Sequence, residues 1–240
     1  MATVLKRPGG ELSQRPLHFF WVVDCSGSMH GDKIGTVNNA IQSTIPEMVS
    51  AAEGNPNAQL FIRTLKFESE AKWITEGAIP VDNFAWDDLT ASGGTSLGRA
   101  FEMLATELTI PPMSERALPP VIVLLSDGMP TDDYQSSLNK LLRLPWGKKS
   151  VRIAISIGHD ADDSVLAEFA GCSELVLQAN NPQALVKMIK WASTAASQVS
   201  APASLAASSV NPLDEAFKLP PAPLVLDMNN IPDINDNDVW

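Results

Sequence analysis

An α/β fold with a mainly parallel sheet is predicted by three observations. Short, strongly apolar runs alternate with stretches of helical period from about residue 15 to residue 198. The best of these runs, Phe19-Phe20-Trp21-Val22-Val23, is apolar at every position, as expected of a strand buried on both faces. Polar, glycine-bearing segments then close the strands, where an open parallel sheet turns into its helices.

Six strands are expected, at Leu17 to Val23, Gln59 to Phe67, Ala71 to Ile74, Val121 to Leu125, Val151 to Ile157 and Glu174 to Leu177. Between them, Ile34, Val37, Ile41, Ile45, Met48, Val49 and Ala52 keep helical spacing, with Pro46 expected to kink that helix. Leu97, Ala100, Phe101, Leu104 and Leu108 form a cleaner stripe. Both stripes read as sheet-facing surfaces. Further helices are expected at Asp132 to Leu142, Ser164 to Ala170 and Pro182 to about Ser197. Thr131 is the expected cap of the first, with Asp132 and Asp133 at its positive end. Asp160, Asp162 and Asp163 lack the glycine and closing glutamate of a calcium loop, so they read as helix-start acids.

The 240 residues divide into an N-terminal extension (1–14), one metal-binding domain (15–198), and a Ser/Ala/Pro linker with an acidic tail (199–240). The tail segment 212–240 sets Asp214, Glu215, Asp227, Asp233, Asp236 and Asp238 against Lys218 alone. It reads either as a solubilising end or as a docking segment that orders on a partner, on its own domain or on a neighbouring one. A formal charge of −11 excludes nucleic acid and anionic membrane as main partners, since both demand a basic face. No apolar stretch approaches the roughly 18 residues of a spanning helix, and the first residues lack the apolar core of a signal peptide. A cytoplasmic location follows as the expectation. The two cysteines, Cys25 and Cys172, give no disulfide framework, and Cys25 reads better as a small core residue than as a redox thiol.

Directly after the first strand, Asp24-Cys25-Ser26-Gly27-Ser28 places a carboxylate and two hydroxyls at alternate positions. Oxygen donors of this kind suit a hard cation, and Mg²⁺ prefers six oxygens at about 2.0–2.1 Å, more than one turn supplies. Two later segments offer the remainder. Ser92-Gly93-Gly94-Thr95-Ser96 precedes a helix and carries the Thr95 hydroxyl, while Ser126-Asp127-Gly128 follows a strand and carries a second carboxylate.

Asp24-x-Ser26-x-Ser28, Thr95 and Asp127, in that order along an alternating α/β chain, resemble the metal-ion-dependent adhesion site of the von Willebrand factor type A family. The Asp-Cys-Ser-Gly-Ser-Met start, Gly-Gly-Thr-Ser-Leu and Ser-Asp-Gly-x-Pro-Thr-Asp look most like the bacterial intracellular members associated with tellurite resistance and chemical stress. The resemblance implies a doubly wound, mainly parallel six-stranded sheet with helices on both faces and a divalent ion at its top. The ion would be Mg²⁺ or Mn²⁺ before Ca²⁺. Ser26, Ser28 and Thr95 would hold it directly or through water, with Asp24 and Asp127 often acting through water. A partner protein's Asp or Glu would complete the shell.

The expected function is therefore a non-enzymatic adaptor, placed by analogy in bacterial stress or phosphorylation-linked signalling. The alternative is a metal-assisted hydrolase of phosphoesters or acyl groups. Against it, there is no G-x-S-x-G elbow and no P-loop lysine, and only His30 of the three histidines lies near the serines in sequence. The tryptophans read more readily as partly buried packing residues than as interface markers; Trp86, in Trp86-Asp87-Asp88-Leu89, is the one near the expected ion face, where contact with a partner is the alternative.

Overall fold

In the computed structural model the described residues are 14–187, apart from 56, 128, 159, 160, 182 and 185. The expected helix from Pro182 to about Ser197, Trp191 and the acidic tail lie wholly or mostly outside them. Seven strands form one sheet in the order β3-β2-β1-β5-β6-β7, with β4 also paired to β2. These are β1 (Arg15–Asp24), β2 (Ala58–Phe67), β3 (Ala71–Trp73), β4 (Ile79–Pro80), β5 (Val121–Ser126), β6 (Val151–Ile157) and β7 (Val176–Ala179). All pairings are parallel except those of β3 and β4 with β2.

The expected six-stranded sheet gains β4. Two residues carry no periodicity, and Pro80 lacks an N–H, which confines it to an edge such as this one. At the other edge the last strand begins later than expected, because Ser173–Leu175 forms a 3-10 turn.

Helices α1 (Asp32–Glu53), α2 (Leu97–Glu107), α3 (Tyr134–Arg143), α4 (Pro145–Lys149) and α5 (Asp163–Ala170) connect the strands. α1 continues through Pro46 as one helix. The expected stripes are mostly buried: Val37, Ile41 and Met48 of α1 and Leu97, Ala100, Phe101 and Leu104 of α2 are essentially inaccessible to solvent, while Ile45, Val49 and Ala52 towards the end of α1 are half-buried. β5 and β6 are buried at every position, the pattern expected where helices cover both faces of a parallel sheet. Trp21, Phe19, Phe20, Phe67, Phe101 and Phe169 are the bulkiest fully buried side chains of this core.

The chain goes from β1 to β2 on one side and then crosses to β5 on the other. Between β1 and β5 the strand order reverses, so their carboxyl ends form the switch point at which ligands of open parallel sheets gather.

Candidate metal centre

Register brings the first two parts of the site together. Val23 pairs with Leu125, so the next residues, Asp24 and Ser126, leave the sheet side by side. The Ser126 hydroxyl donates to Asp24 Oδ2 at 2.6 Å, and the Ser26 backbone N–H donates to Asp24 Oδ1 at 2.8 Å. Asp24 thereby shapes the turn after β1 as well as carrying charge. The turn places the Ser26 and Ser28 hydroxyls 3.0 Å apart, with Ser26 buried and Ser28 exposed.

The third part is a loop fixed at almost every residue. Ser92 N–H donates to the Cys25 carbonyl at 2.7 Å, and Gly27 N–H donates to the Gly93 carbonyl at 3.0 Å. Gly94 N–H donates to Ser69 Oγ at 2.9 Å, and Ser96 N–H to the Glu68 carbonyl at 2.7 Å. Glu68 also accepts from Ser92 Oγ at 2.7 Å and from Lys66 Nζ at 2.9 Å, and these bonds hold its carboxyl below the usual range. Gly93 is at φ +75°, where a Cβ would run into the Ser69 hydroxyl. Thr95 itself is clamped by Thr131, which donates its N–H to the Thr95 carbonyl at 2.8 Å and accepts from Thr95 N–H at 3.3 Å through Oγ1.

That clamp corrects the expected capping scheme. Asp133, not Thr131, caps α3 by accepting from Ser136 N–H at 3.2 Å. Asp132 reaches across to α2, accepting from Gly98 N–H at 2.9 Å and Arg99 N–H at 3.1 Å. Ser96 stands at the N-cap of α2 but turns its hydroxyl to the Ser69 carbonyl at 2.8 Å, leaving those donors to Asp132. Gly98 permits the approach, since a Cβ there would lie 2.9 Å from Asp132 Oδ2 and from the Asp133 carbonyl.

The electrostatics of the site are unbalanced. Burial pushes the Asp24 carboxyl up to about 6; hydrogen bonds from Ser126 and Ser26 oppose the shift, and the charge of Asp127 adds to it. Asp127 is fully buried, and neither of its carboxylate oxygens has a hydrogen-bond partner among the described residues. Neither acid makes an ion pair with a described side chain. Unpaired buried carboxylates are costly, and a divalent cation relieves both at once. The donor set fits such an ion: two acids supply roughly its charge, and three neutral hydroxyls supply hard oxygens. Among the described residues no group of three or more His, Cys, Asp or Glu could hold a metal, so any cation here must rely on hydroxyls.

Other expectations divide. Asp162 caps α5 through Ser164 N–H at 3.1 Å, and Asp163, the first residue of that helix as expected, also accepts from Ser156 Oγ and Gln178 Nε2, each at 2.6 Å. Asp160 lies outside the described residues. Cys25 is fully buried and its thiol is pushed up to about 12, chiefly by burial. Trp86 follows the packing reading: it is 8% exposed, and its Nε1 donates to Asn38 Oδ1 at 3.2 Å, so it fastens its loop to α1 instead of facing a partner. Glu68, Ser69, Ser126 and the cross-capping role of Asp132 were not legible as site features. Ser126 and Asp132, the first and last residues of the strand-end motif that carries Asp127, had a sequence signal, but Asp132 was expected to serve α3 and not α2.

Residues 20–191 match the family model described as "von Willebrand factor type A domain". The chain belongs to the von Willebrand factor type A family. Its fold is similar to that of the ArnB paralog VWA2 from Sulfolobus acidocaldarius, at 22% identity over 73% of this chain and 44% of that one, with a TM-score of 0.56. It is similar also to a von Willebrand factor type A protein from Catenulispora acidiphila, at 15% identity over 76% and 43%, with a TM-score of 0.56. A third similar structure is proximal thread matrix protein 1 from the mussel byssus "with zinc occupied MIDAS motif", at 17% identity over 77% and 46%, with a TM-score of 0.54. The chain spans less than half the length of each of these proteins. No curated protein matches it. Domains of this family commonly bind a divalent metal at the adhesion site and mediate protein–protein interaction.

Proposed function

We propose that this von Willebrand factor type A domain is a binding module in which Asp24, Ser26, Ser28, Thr95 and Asp127 hold a divalent cation that takes an Asp or Glu of a partner protein. The observation that carries the reading is Asp127, whose two buried oxygens lack partners among the described residues, next to a second buried acid. Because three of the five donors are neutral, the bound ion keeps enough positive charge to attract one more carboxylate. A hard, hydroxyl-rich set favours Mg²⁺ or Mn²⁺ over softer ions, although the byssus protein's site takes zinc.

The module is read as non-enzymatic. Ser26 Oγ is hydrogen-bonded to Ser28 Oγ, His18 lies on β1 stacked between Phe20 and Phe61, and His30 is exposed. The likeness to tellurite-resistance-associated members and the stress or phosphorylation-linked setting rest on the sequence segments alone, and the cytoplasmic location on the apolar pattern of the sequence. Among the described residues no helix is long and apolar enough to cross a membrane.

Calorimetry with Mg²⁺ and Mn²⁺ on the wild type and on Asp127→Ala tests the site, with binding expected only for the wild type. Equal binding by both would refute the assignment. Affinity capture of partners with and without EDTA tests the interaction. Metal-dependent turnover of phosphoester or acyl substrates, lost in a folded Ser26→Ala variant, would favour the hydrolase instead.

A further inference from the structure

Two large apolar side chains stand out as exposed among the described residues, Met129 at 46% and Ile110 at 53%. Ile110 lies between the end of α2 and the start of β5, at the amino edge of the sheet. Met129 follows Asp127 by two residues and so sits within about 7 Å of a proposed metal donor, measured between Cα atoms. Methionine is unbranched and adapts to irregular partners, a property that suits a contact surface.

The tail, outside the described residues, repeats a matching pattern three times. Val225-Leu226-Asp227, Ile231-Pro232-Asp233 and Ile234-Asn235-Asp236 each place an aliphatic residue two positions before an aspartate. In an extended segment, residues i and i+2 project to the same side about 6.5–7 Å apart. Met129 and the metal donor Asp127 are likewise two residues apart.

We infer that the occupant of the proposed metal site is this chain's own tail, one of Asp227, Asp233 or Asp236 completing the cation's shell while its aliphatic neighbour covers Met129. The inference rests on the metal-binding reading above and names a regulator for the same site. β7 is parallel to its neighbours, so the chain leaves it at the same sheet edge as the metal loops. The expected helix from Pro182 to about Ser197 would span about 24 Å, and the Ser/Ala/Pro linker that follows, 199–230, has a root-mean-square span on the order of 30 Å. A domain of this size is about 40 Å across, so the tail reaches the site at an effective concentration in the millimolar range. A contact too weak to form between separate molecules is then substantially populated. An outside acidic partner must displace it.

Full-length protein with labelled isoleucine methyls, titrated with Mn²⁺ well below one equivalent, tests this. Ile34, near the start of α1, reports on the ion, and Ile231 and Ile234 report on the tail. Broadening of all three, unchanged on dilution and lost in full-length Ser26→Ala, is expected. Broadening of Ile34 alone would overturn the tail contact and leave metal binding standing; absence at all three would remove the metal-binding reading itself. Tail broadening that persists in Ser26→Ala, or that fades on dilution, would overturn it in favour of loose cation binding or a neighbouring copy.

As a second measure, a peptide of residues 222–240 should bind the full-length triple variant Asp227→Asn/Asp233→Asn/Asp236→Asn with Mg²⁺ at least about tenfold more tightly than the wild type. Equal affinity would overturn the inference. Met129→Ser in that background should weaken the peptide about fivefold with Mg²⁺ affinity unchanged, and an unchanged peptide affinity would overturn the aliphatic contact.

Discussion

Replacing Asp132 by alanine should weaken both the fold and the metal site, although Asp132 is not one of the proposed donors. Its carboxylate accepts from Gly98 N–H at 2.9 Å and Arg99 N–H at 3.1 Å, the first turn of α2, and Ser96 offers no side-chain cap in its place. An N-cap is worth about 0.5–2 kcal/mol, and a negative charge at the helix N-terminus adds about 0.3–1 kcal/mol. Asp132 is part-exposed, so water replaces some of what is lost, and a net cost of about 1.5 kcal/mol follows. With a urea m-value of about 2 kcal/mol/M for a domain of this size, the unfolding midpoint should fall by about 0.7 M. Asp132→Asn keeps one acceptor and loses the charge, so about half that shift is expected. Because α2 starts directly after the Thr95 loop, Mg²⁺ affinity measured by calorimetry should also fall several-fold in Asp132→Ala. A midpoint shift below about 0.15 M, or an asparagine variant as damaged as the alanine one, would refute the capping argument. A destabilised Asp132→Ala with undiminished Mg²⁺ affinity would refute its link to the site.

Asp127→Asn should leave the metal-free protein at least as stable as the wild type, since neither buried carboxylate oxygen has a partner among the described residues to lose, yet it should abolish the rise in Tm on adding Mg²⁺; a metal-free variant several kcal/mol less stable would show that the carboxylate already has a partner. Burial raises Asp24 from 3.8 to about 6, so the native state holds its proton more tightly than the unfolded chain and this group's contribution to stability falls as pH rises from about 4 to 6. The metal-free wild type should therefore lose stability relative to Asp24→Asn by about 3 kcal/mol over that window, and a flat difference would contradict the burial argument. At pH 8 a thiol reagent should modify Cys172 well before Cys25, whose thiol is pushed up to about 12, and equal rates in the folded protein would show that the loop opens. Gly93→Ala should cost more than about 1 kcal/mol in urea unfolding, since φ +75° disfavours any side chain and Cβ would press on Ser69; a neutral substitution would mean the loop moves freely.

The sequence by itself determined the layered α/β class, the buried strands and the three segments that carry the proposed donors. Long apolar runs and helical stripes record burial directly, because each residue's hydropathy answers to the face it occupies. Oxygen donors at strand ends could be read for the same reason, with Asp24, Ser26, Ser28, Thr95 and Asp127 each sitting in a short local pattern. Local patterns reach only a few residues, which is why β4, with two residues, and the late start of β7 escaped them. Tertiary structure alone decided how the segments meet. Pairing of Val23 with Leu125 set Asp24 against Ser126 across 102 positions, and Asp132 became the cap of α2 because α3 packs beside it. It also decided that Trp86 is a buried fastening and that Asp127 is left without a hydrogen-bond partner among the described residues. Such outcomes depend on which groups have already used one another's hydrogen bonds, a balance that exists only once the chain is packed.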